Sequence, residues 1–271
     1  MALQFLPTPT LRYLAIELTN VCNLQCSVCW SQNPQLYKPR KKGYMTDALY
    51  HQILTELERE WYPKEIVVGL NYGGESLLHP HFIEYLNAMA KFEPRHLQVI
   101  TNGLNLTKKT MIALLNANAK VAVSLHKSKH LNQVIKKTMQ LYHMKQQQNL
   151  STVIHANIVA EEWSQKEIDH FAAVLHNHVD HVRITTYITE DMQTAMPHTQ
   201  YWPMCPSMFA YLAVLWNGDT LPCCHILSSD TFTLGNLNEK SLKQVFKGKT
   251  YETLRYGETA NTPCENCQVR R

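Results

Sequence analysis

The 271-residue sequence predicts an α/β fold, in which an open parallel sheet of six strand–helix units precedes a small β-hairpin segment. Short β-branched runs alternate with stretches of helical apolar spacing between residues 12 and 187. The strands are apolar almost throughout, which is typical of a parallel sheet covered by helices. Six units are too few for the eight of a complete barrel, so the sheet should be open or completed by another element.

Each strand is indicated by a β-branched run and each helix by an apolar stripe. The predicted strands are residues 12–18, 65–72, 96–101, 120–126, 153–159 and 181–187. The stripes that mark the helices are Leu49, Ile53, Leu54, Leu57 and Trp61, then Phe82, Tyr85, Leu86 and Met89, then residues 107–116, then Leu131, Val134, Ile135, Thr138 and Tyr142, and finally Ile168, Phe171, Ala172 and Leu175.

The helical and strand periodicity stops in a polar, proline-containing stretch, residues 188–203, which we interpret as a linker. We therefore divide the chain into residues 1–190, the partial barrel, and residues 191–271, a C-terminal subdomain. A segment as small as the second part buries little core of its own and usually needs a metal or another staple.

The C-terminal part begins with a hairpin signal. Two apolar runs, residues 210–216 and 220–224, flank Asn217-Gly218-Asp219, and Asn-Gly is a strong turn signal between two strands. Short helices are expected at residues 241–246 and 251–256.

Composition indicates a globular protein of a reducing compartment. No apolar run reaches the roughly 18 residues that span a bilayer, and the N-terminal segment lacks the charge pattern of a leader, so we expect a cytoplasmic protein with no membrane partner. Eight cysteines in such a chain favour metal binding over disulfides. The formal net charge of +4 is small, and nucleic acid binding is not expected. The basic run at residues 38–42 is interpreted as a solvated loop, with contact to an anionic substrate or an acidic electron donor as the alternative.

Three cysteines, Cys22, Cys26 and Cys29, follow the first predicted strand with three and then two intervening residues. Three thiolates on one short loop can hold three irons of a 4Fe-4S cluster and leave the fourth iron without a protein ligand. Structural zinc is the alternative, but zinc takes four ligands and no fourth ligand lies close in sequence.

Polar residues also follow the next strands, at the edge where parallel barrels carry their catalytic groups. The second strand ends in Gly73-Gly74-Glu75, where the glycines allow close backbone approach to a ligand and place a carboxylate beside it. The third strand ends in Thr101-Asn102-Gly103, and the fourth carries Ser124. In isolation, the last two signals fit turn or helix-cap residues equally well.

Asn157 on the fifth strand and Arg183 on the sixth have the same ambiguity. An arginine in an apolar strand is costly unless it is paired. We expect Arg183 to face an anionic ligand or a structural partner such as Glu17.

A second group comprises Cys205, Cys223, Cys264 and Cys267. The hairpin can bring the first two together, and the terminal Cys-x-x-Cys can complete four thiolates around one metal site, with structural zinc as the alternative. Cys224 is left over, either as a buried thiol or as an alternate ligand or reactive group.

The order of cysteine loop, Gly-Gly-Glu, Thr-Asn-Gly and Ser124 resembles the radical SAM superfamily over roughly residues 12–187, although the family usually has proline where this chain has Ser76. The C-terminal cysteines resemble the twitch subdomain, a shortened SPASM domain with one auxiliary 4Fe-4S cluster. The resemblance implies a partial (β/α)6 TIM-like barrel with a small C-terminal β-hairpin plus helix iron–sulfur subdomain.

The resemblance also implies S-adenosylmethionine (SAM) and two 4Fe-4S clusters, one of which binds SAM, as cofactors. The cluster ligands that it implies are Cys22, Cys26, Cys29, Cys205, Cys223, Cys264 and Cys267. The cofactor contacts that it implies are Val28, Gly73, Gly74, Glu75, Thr101, Asn102, Ser124, Asn157 and Arg183. It identifies no catalytic residue.

The implied activity is reductive cleavage of SAM to a 5′-deoxyadenosyl radical, which abstracts a hydrogen atom from a small-molecule or peptide substrate. The auxiliary cluster then accepts an electron, which gives net oxidation. The expected electron donor is a flavodoxin- or ferredoxin-type protein. The alternatives are a radical SAM epimerase or other redox-neutral modifying enzyme, and a non-catalytic iron–sulfur electron-transfer or sensor protein.

Overall fold

The computed structural model describes residues 8–29, 31–32, 40–59, 65–185, 205, 207–224, 226, 230, 232–256, 262 and 264. Among these residues, no helix has the length and apolar character that a membrane-spanning segment requires.

Strands and helices alternate regularly in the first two thirds of the chain. The strands are β1 (Tyr13–Ile16), β2 (Val67–Gly69), β3 (His96–Thr101), β4 (Lys120–Leu125), β5 (Ile154–Val159), β6 (His181–Thr185), β7 (Tyr211–Val214), β8 (Asp219–Leu221) and β9 (Gly235–Asn236). The helices are α1 (Asp47–Glu58), α2 (Phe82–Lys91), α3 (Lys108–Asn116), α4 (Leu131–Gln147), α5 (Gln165–Leu175), α6 (Ser207–Ala210), α7 (Leu242–Phe246) and α8 (Lys249–Arg255).

All nine described strands form one sheet, in the order β6-β5-β4-β3-β2-β1-β7-β8-β9. Strands β1 to β6 pair in parallel, each with its neighbour in sequence, as the run of strand–helix units predicts. The sheet is not closed. The predicted α/β class with an open, partial barrel is therefore confirmed.

The C-terminal hairpin continues this sheet. Strand β7 pairs in parallel with β1, and β8 then pairs antiparallel with β7 across the predicted turn, where Gly218 has φ +91°. Strand β9, which the sequence pattern did not predict, adds a short outer edge. The division at residues 190 and 191 stays a prediction, since residues 186–204 lie outside the described residues, as do Trp61 and Cys267.

The apolar core lies between the sheet and its helices. Alternate strand residues such as Leu14, Val68 and Val123 are fully buried on the helix-covered face. On the opposite face, Ser124, Asn157 and Arg183 are direct register partners across β4, β5 and β6. The residues that follow the carboxyl ends of the parallel strands meet at one edge of the sheet, which brings distant motifs together.

Candidate active site

A cleft of roughly 620 Å³, including its open mouth, lies at the carboxyl ends of β1 to β4. Its lining residues are Cys22, Leu24, Cys26, Cys29, Ser31, Gln32, Tyr72, Gly73, Gly74, Glu75, Ile100, Thr101, Asn102, Ser124 and His126. The cleft therefore unites the cysteine loop, Gly-Gly-Glu, Thr-Asn and Ser124, which lie up to a hundred residues apart in the sequence.

The cysteine loop presents three half-buried thiols to this cleft. The amide of Cys29 donates to the carbonyl of Cys26 at 3.1 Å, so the second half of the loop is a tight turn. Burial raises the pKa of Cys22 and Cys29, and burial with the nearby Glu162 carboxylate raises the pKa of Cys26 to about 12. Without a metal these thiols keep their protons, and iron binding must displace them.

The three loop thiols do not converge on a single ion. In the described part of the chain, one group of possible ligand atoms lies within 4.8 Å of one another, and it contains only Cys26 of the three, with His126 and Glu162. Four thiolates around one zinc ion, each about 2.3 Å away, would lie closer together than this limit. Cys22, Cys26 and Cys29 therefore do not have the mutual spacing of ligands to a single zinc ion.

Glycine is required at positions 73 and 74 because neighbouring atoms of the protein already occupy the space that a Cβ atom would take. A Cβ atom on Gly74 would lie 2.4 Å from the carbonyl oxygen of Thr19, and one on Gly73 would lie 2.4 Å from Arg40 Nη2. The Gly-Gly turn therefore packs directly on the segment that leads from β1 into the cysteine loop. This contact holds the first and second strand ends together at the cleft.

Glu75 joins the second and third strand ends. Its carboxylate is almost fully buried and accepts the hydroxyl of Thr101 at 2.8 Å, the amide of Asn102 at 2.7 Å and the amide of Leu77 at 3.2 Å. Burial raises the pKa of Glu75, while these three donors oppose the rise. Glu75 therefore orders Thr101 and Asn102, the two other predicted SAM contacts at this edge.

The side chain of Asn102 turns toward the cysteine loop. Its Nδ2 atom lies 2.8 Å from Asn23 Oδ1 and 3.7 Å from Cys22 Sγ, and its Oδ1 atom accepts the amide of Leu104 at 3.0 Å. The side chain thus uses both ends of its amide to connect β3 to the loop.

A buried ion pair supports the cleft from below. Glu17 follows β1 and is fully buried, and its carboxylate accepts two hydrogen bonds from Arg40, at 2.5 and 3.0 Å. Burial raises the pKa of Glu17, and the arginine opposes the rise. The expectation of Glu17 as a structural partner for Arg183 is therefore wrong, since Arg183 is exposed on β6 and Glu17 pairs with Arg40.

The prediction of a solvated loop at residues 38–42 is wrong for Arg40, whose side chain is only 11% exposed, whereas Lys41 and Lys42 are exposed. Besides the buried Arg40, Lys42 donates to the carbonyl of Asn20 at 2.9 Å and to Gln32 Oε1 at 2.7 Å. Gln32 in turn donates to the carbonyl of Gly73 at 3.1 Å. These contacts brace the end of the cysteine loop against the Gly-Gly turn.

His126 and Glu162 form a polar pair at the mouth of the cleft that the sequence analysis missed. His126 Nδ1 lies 3.4 Å from Glu162 Oε1, while Glu162 Oε2 accepts the amide of Lys127 at 2.7 Å. Both side chains lie beside Cys26. His126 ends the fourth predicted strand, so its position beyond Ser124 was the available signal.

Three predicted cofactor contacts do not line the cleft: Val28, Asn157 and Arg183. Val28 is half-buried within the cysteine loop. Asn157 and Arg183 are the register partners of Ser124 on the next two strands and lie on the same face of the sheet, the inner face. Asn157 Oδ1 is buried with no hydrogen-bond partner among the described residues. A buried orphan acceptor of this kind indicates a missing donor, from water or a ligand.

Three of the four predicted C-terminal ligands lie within the described residues, near the phenol of Tyr251. Cys205, Cys223 and Cys264 are all buried, and Tyr251 donates from the same region to the carbonyls of Tyr211 at 2.6 Å and Pro222 at 3.1 Å. Burial raises the pKa of Tyr251 well above its ordinary value, and the three thiols act in the same direction. All three therefore lie within electrostatic reach of a single hydroxyl.

Tyr72 connects the cleft to this second group. Tyr72 lines the cleft immediately before Gly73, and its hydroxyl donates to the carbonyls of Ile226 at 2.5 Å and Cys223 at 3.3 Å. Burial raises the pKa of Tyr72 well above its ordinary value, so the hydroxyl keeps the proton that it donates.

With this arrangement established, comparison with known families decides the classification. The radical SAM superfamily model matches residues 16–152, just over half of the chain. The chain belongs to the radical SAM superfamily. The SPASM model, for an iron–sulfur cluster-binding domain, matches residues 205–268, which include all four predicted C-terminal ligands.

Other radical SAM chains with solved structures share the fold. BtrN in complex with AdoMet and 2-DOIA superposes with a TM-score of 0.63 at 16% identity over 98% of each chain. SuiB of Streptococcus suis, bound to precursor peptide SuiA, gives a TM-score of 0.66 at 15% identity over 97% of this chain and 70% of SuiB. At these identities, the likeness concerns the fold.

Among curated proteins, a GTP 3',8-cyclase of Trichodesmium erythraeum (strain IMS101) is 32% identical over 100 residues. That match covers 36% of this chain and 30% of the cyclase, so the chain spans less than a third of that relative's length. Family membership makes this chain a radical SAM enzyme that uses SAM and a 4Fe-4S cluster, with auxiliary iron–sulfur binding from its SPASM region.

Proposed function

We propose that this radical SAM enzyme abstracts a hydrogen atom from a small-molecule or peptide substrate and passes one electron to a single auxiliary 4Fe-4S cluster, for net oxidation. The observation that carries the proposal is the connection between the two cysteine groups. One group lines the cleft. A member of the other group, Cys223, accepts a hydrogen bond at its carbonyl from Tyr72, which lines the same cleft.

The side chains present suit these cofactors. Cys22, Cys26 and Cys29 would hold three irons of the SAM-binding cluster, because they offer three thiols at more than single-ion spacing. Cys205, Cys223, Cys264 and Cys267 would hold the auxiliary cluster. When bound, SAM and its cluster supply a 5′-deoxyadenosyl radical that can remove a hydrogen atom from an unactivated carbon.

The remaining residues of the cleft have binding and ordering roles in this proposal. Ser124 and Thr101 offer hydroxyls to the nucleoside of SAM, and Asn157 offers its orphan carbonyl oxygen deeper along the same face. Glu75 keeps Thr101 and Asn102 in place through its three accepted hydrogen bonds. A site held by such buried contacts loses little free energy to reorganisation when the substrate reacts.

Two related folds support either substrate class. BtrN has been solved with 2-DOIA, and SuiB with a precursor peptide, while both resemble this chain over nearly its whole length. For electron supply we propose a flavodoxin- or ferredoxin-type donor, since exposed Lys41 and Lys42 flank the cysteine loop and suit an acidic partner.

The test is anaerobic reconstitution with iron and sulfide, followed by dithionite, SAM and candidate substrates. We expect 5′-deoxyadenosine to form and a product two mass units lighter than the substrate, whether the oxidation forms a double bond or a new bond within the substrate. A product of unchanged mass would favour the redox-neutral alternative. No 5′-deoxyadenosine from protein with intact clusters would reject the proposal in favour of an electron-transfer or sensor role.

A further inference from the structure

Tyr72 occupies a position that the proposed function does not yet use. It lies between the Gly-Gly-Glu turn and the C-terminal hairpin, and it is one of the residues that line the cleft. Its hydroxyl reaches 151 residues along the chain to the carbonyl of Cys223 and 154 residues to that of Ile226. These two carbonyls frame the segment that carries one proposed ligand of the auxiliary cluster.

We propose that Tyr72 is a positioning residue that fixes Cys223 and Ile226 against the SAM cleft and thereby sets the electrostatic environment of the auxiliary cluster. The inference rests on the proposed function for the identity of that cluster.

The hydrogen bonds to the two carbonyls carry the argument. Cys223 and Ile226 are both buried, so their carbonyl oxygens have little access to water as an alternative donor. A carbonyl that accepts a hydrogen bond directs less negative potential at its surroundings than a bare one. Loss of the donor therefore destabilises the reduced cluster, which carries one more negative charge, and lowers its reduction potential.

The same contact also keeps the cluster-bearing segment close to a substrate in the cleft. Tyr72 lines the cleft and also binds the cluster-bearing segment. A substrate in the cleft therefore lies next to a residue that contacts that segment. A looser segment leaves the substrate radical to decay by other routes before its electron is transferred. The expected sign is 5′-deoxyadenosine formed in excess over oxidised product.

Tyr72→Phe tests this role, because it keeps the ring and removes only the donor. Tyr50→Phe is the matched control: the buried hydroxyl of Tyr50 donates at 2.6 Å to the carbonyl of Tyr85. Tyr50 lies on α1 and does not line the cleft. A third variant carries para-aminophenylalanine at position 72, which restores a donor at the same place.

The decisive measurement uses chains in which Cys22, Cys26 and Cys29 are replaced by alanine, so that the auxiliary cluster is observed alone. In an EPR-monitored potentiometric titration, Tyr72→Phe should lower the midpoint potential. Tyr50→Phe should not change it, and para-aminophenylalanine at position 72 should restore it. In chains with both clusters, Tyr72→Phe should also raise the ratio of 5′-deoxyadenosine to product.

An unchanged midpoint potential in Tyr72→Phe, with the cluster present, overturns the inference but leaves the proposed function standing. A shift of equal size in Tyr50→Phe also overturns it, because the effect would then be one of general stability. Absence of any cluster in the triple-alanine background rejects the proposed auxiliary cluster, and this inference with it. If Tyr72→Phe does not fold, a chain with 3-fluorotyrosine at position 72, whose more acidic hydroxyl is a stronger donor, should have a raised midpoint potential, and an unchanged potential in that chain contradicts the inference.

Discussion

The carboxylate of Glu75 accepts the backbone amide of Asn102 at 2.7 Å, and so fixes the end of β3 to the turn that follows β2. The same carboxylate holds the hydroxyl of Thr101. One buried acid therefore shapes two sides of the cleft, and its removal should disturb the positions of both Thr101 and Asn102.

Glu75→Gln replaces one acceptor by a donor that faces the amide of Asn102 or the hydroxyl of Thr101. We expect a loss of about 1–3 kcal/mol in the free energy of unfolding, because a buried partner loses its hydrogen bond. We also expect SAM affinity to fall by about 10- to 100-fold, which is typical when the support of a binding group is removed. Urea unfolding and anaerobic equilibrium dialysis measure the two effects. Glu84→Gln, at a side chain that is 65% exposed, is the control and should change neither.

The buried Glu17–Arg40 pair predicts that loss of the arginine lowers the free energy of unfolding by an amount that depends on pH. Arg40→Met should destabilise the protein by about 3–5 kcal/mol near neutral pH, because it leaves a buried carboxylate without a counterion. Burial already raises the pKa of Glu17, and loss of the arginine raises it further. Since a neutral carboxyl needs no counterion, the penalty should shrink as the pH falls through that raised pKa.

The double variant Glu17→Leu/Arg40→Met provides the control for this pair. It should recover most of the stability at neutral pH, because no buried charge remains. Urea titrations of the two variants and the wild type at several pH values measure the effect. Equal stability of Arg40→Met and the wild type at neutral pH would contradict a buried, functional ion pair.

The two cysteine groups should bind iron independently. Replacement of Cys22, Cys26 and Cys29 by alanine should remove about half of the iron and sulfide, because the C-terminal ligands lie on separate elements of the fold. Replacement of Cys205, Cys223 and Cys264 should remove the other half and leave SAM binding intact. Iron and sulfide analysis of reconstituted protein gives the counts. Loss of all iron from the first variant would indicate one shared site.

His155 predicts a decline in stability at acid pH. It is buried on the inner face of β5, stacked on His181 with ring centroids 5.0 Å apart. Burial lowers its pKa from 6.5 to about 4, and the charges of Arg183 and Lys120 contribute. The unfolded chain therefore binds a proton in this range while the folded chain does not. Stability should fall as the pH is lowered from about 6.5 toward 4.

His155→Leu should remove this component of the pH dependence, because leucine fills similar space and does not titrate. The exposed His143→Gln is the control and should preserve the wild-type slope. Anaerobic thermal unfolding of the three chains between pH 7.5 and 5 provides the comparison. If stability falls with pH equally steeply in His155→Leu and the wild type, His155 does not control the pH dependence of stability.

The sequence allowed prediction of local features and of their order around the sheet. The strands before Cys22, Gly73 and Thr101 were recognised from short apolar runs, and parallel pairing then brings their ends to one edge. Pairings across long separations were not accessible in this way. The partner of Glu17 is Arg40, 23 residues away in a basic run that by composition reads as solvated.

The role of the hairpin was also beyond local pattern. Its turn at Asn217-Gly218 was predicted from residue type, but its place beside β1 depends on which sheet edge is free, a property of the whole fold. His126 and Glu162 were missed for a similar reason. Neither belongs to a spaced motif, and they meet beside Cys26 only because β4 and β5 are neighbours.

Strand β1 has a neighbour on each edge, β2 on one side and β7 on the other. Removal of the C-terminal region would expose a row of unpaired backbone groups on the strand that leads into the cysteine loop. The auxiliary region is therefore not a detachable cassette, since its first strand completes the surroundings of the strand that carries the first cluster's loop. Any exchange of such regions between related enzymes, by evolution or by design, has to supply a seventh strand that matches β1.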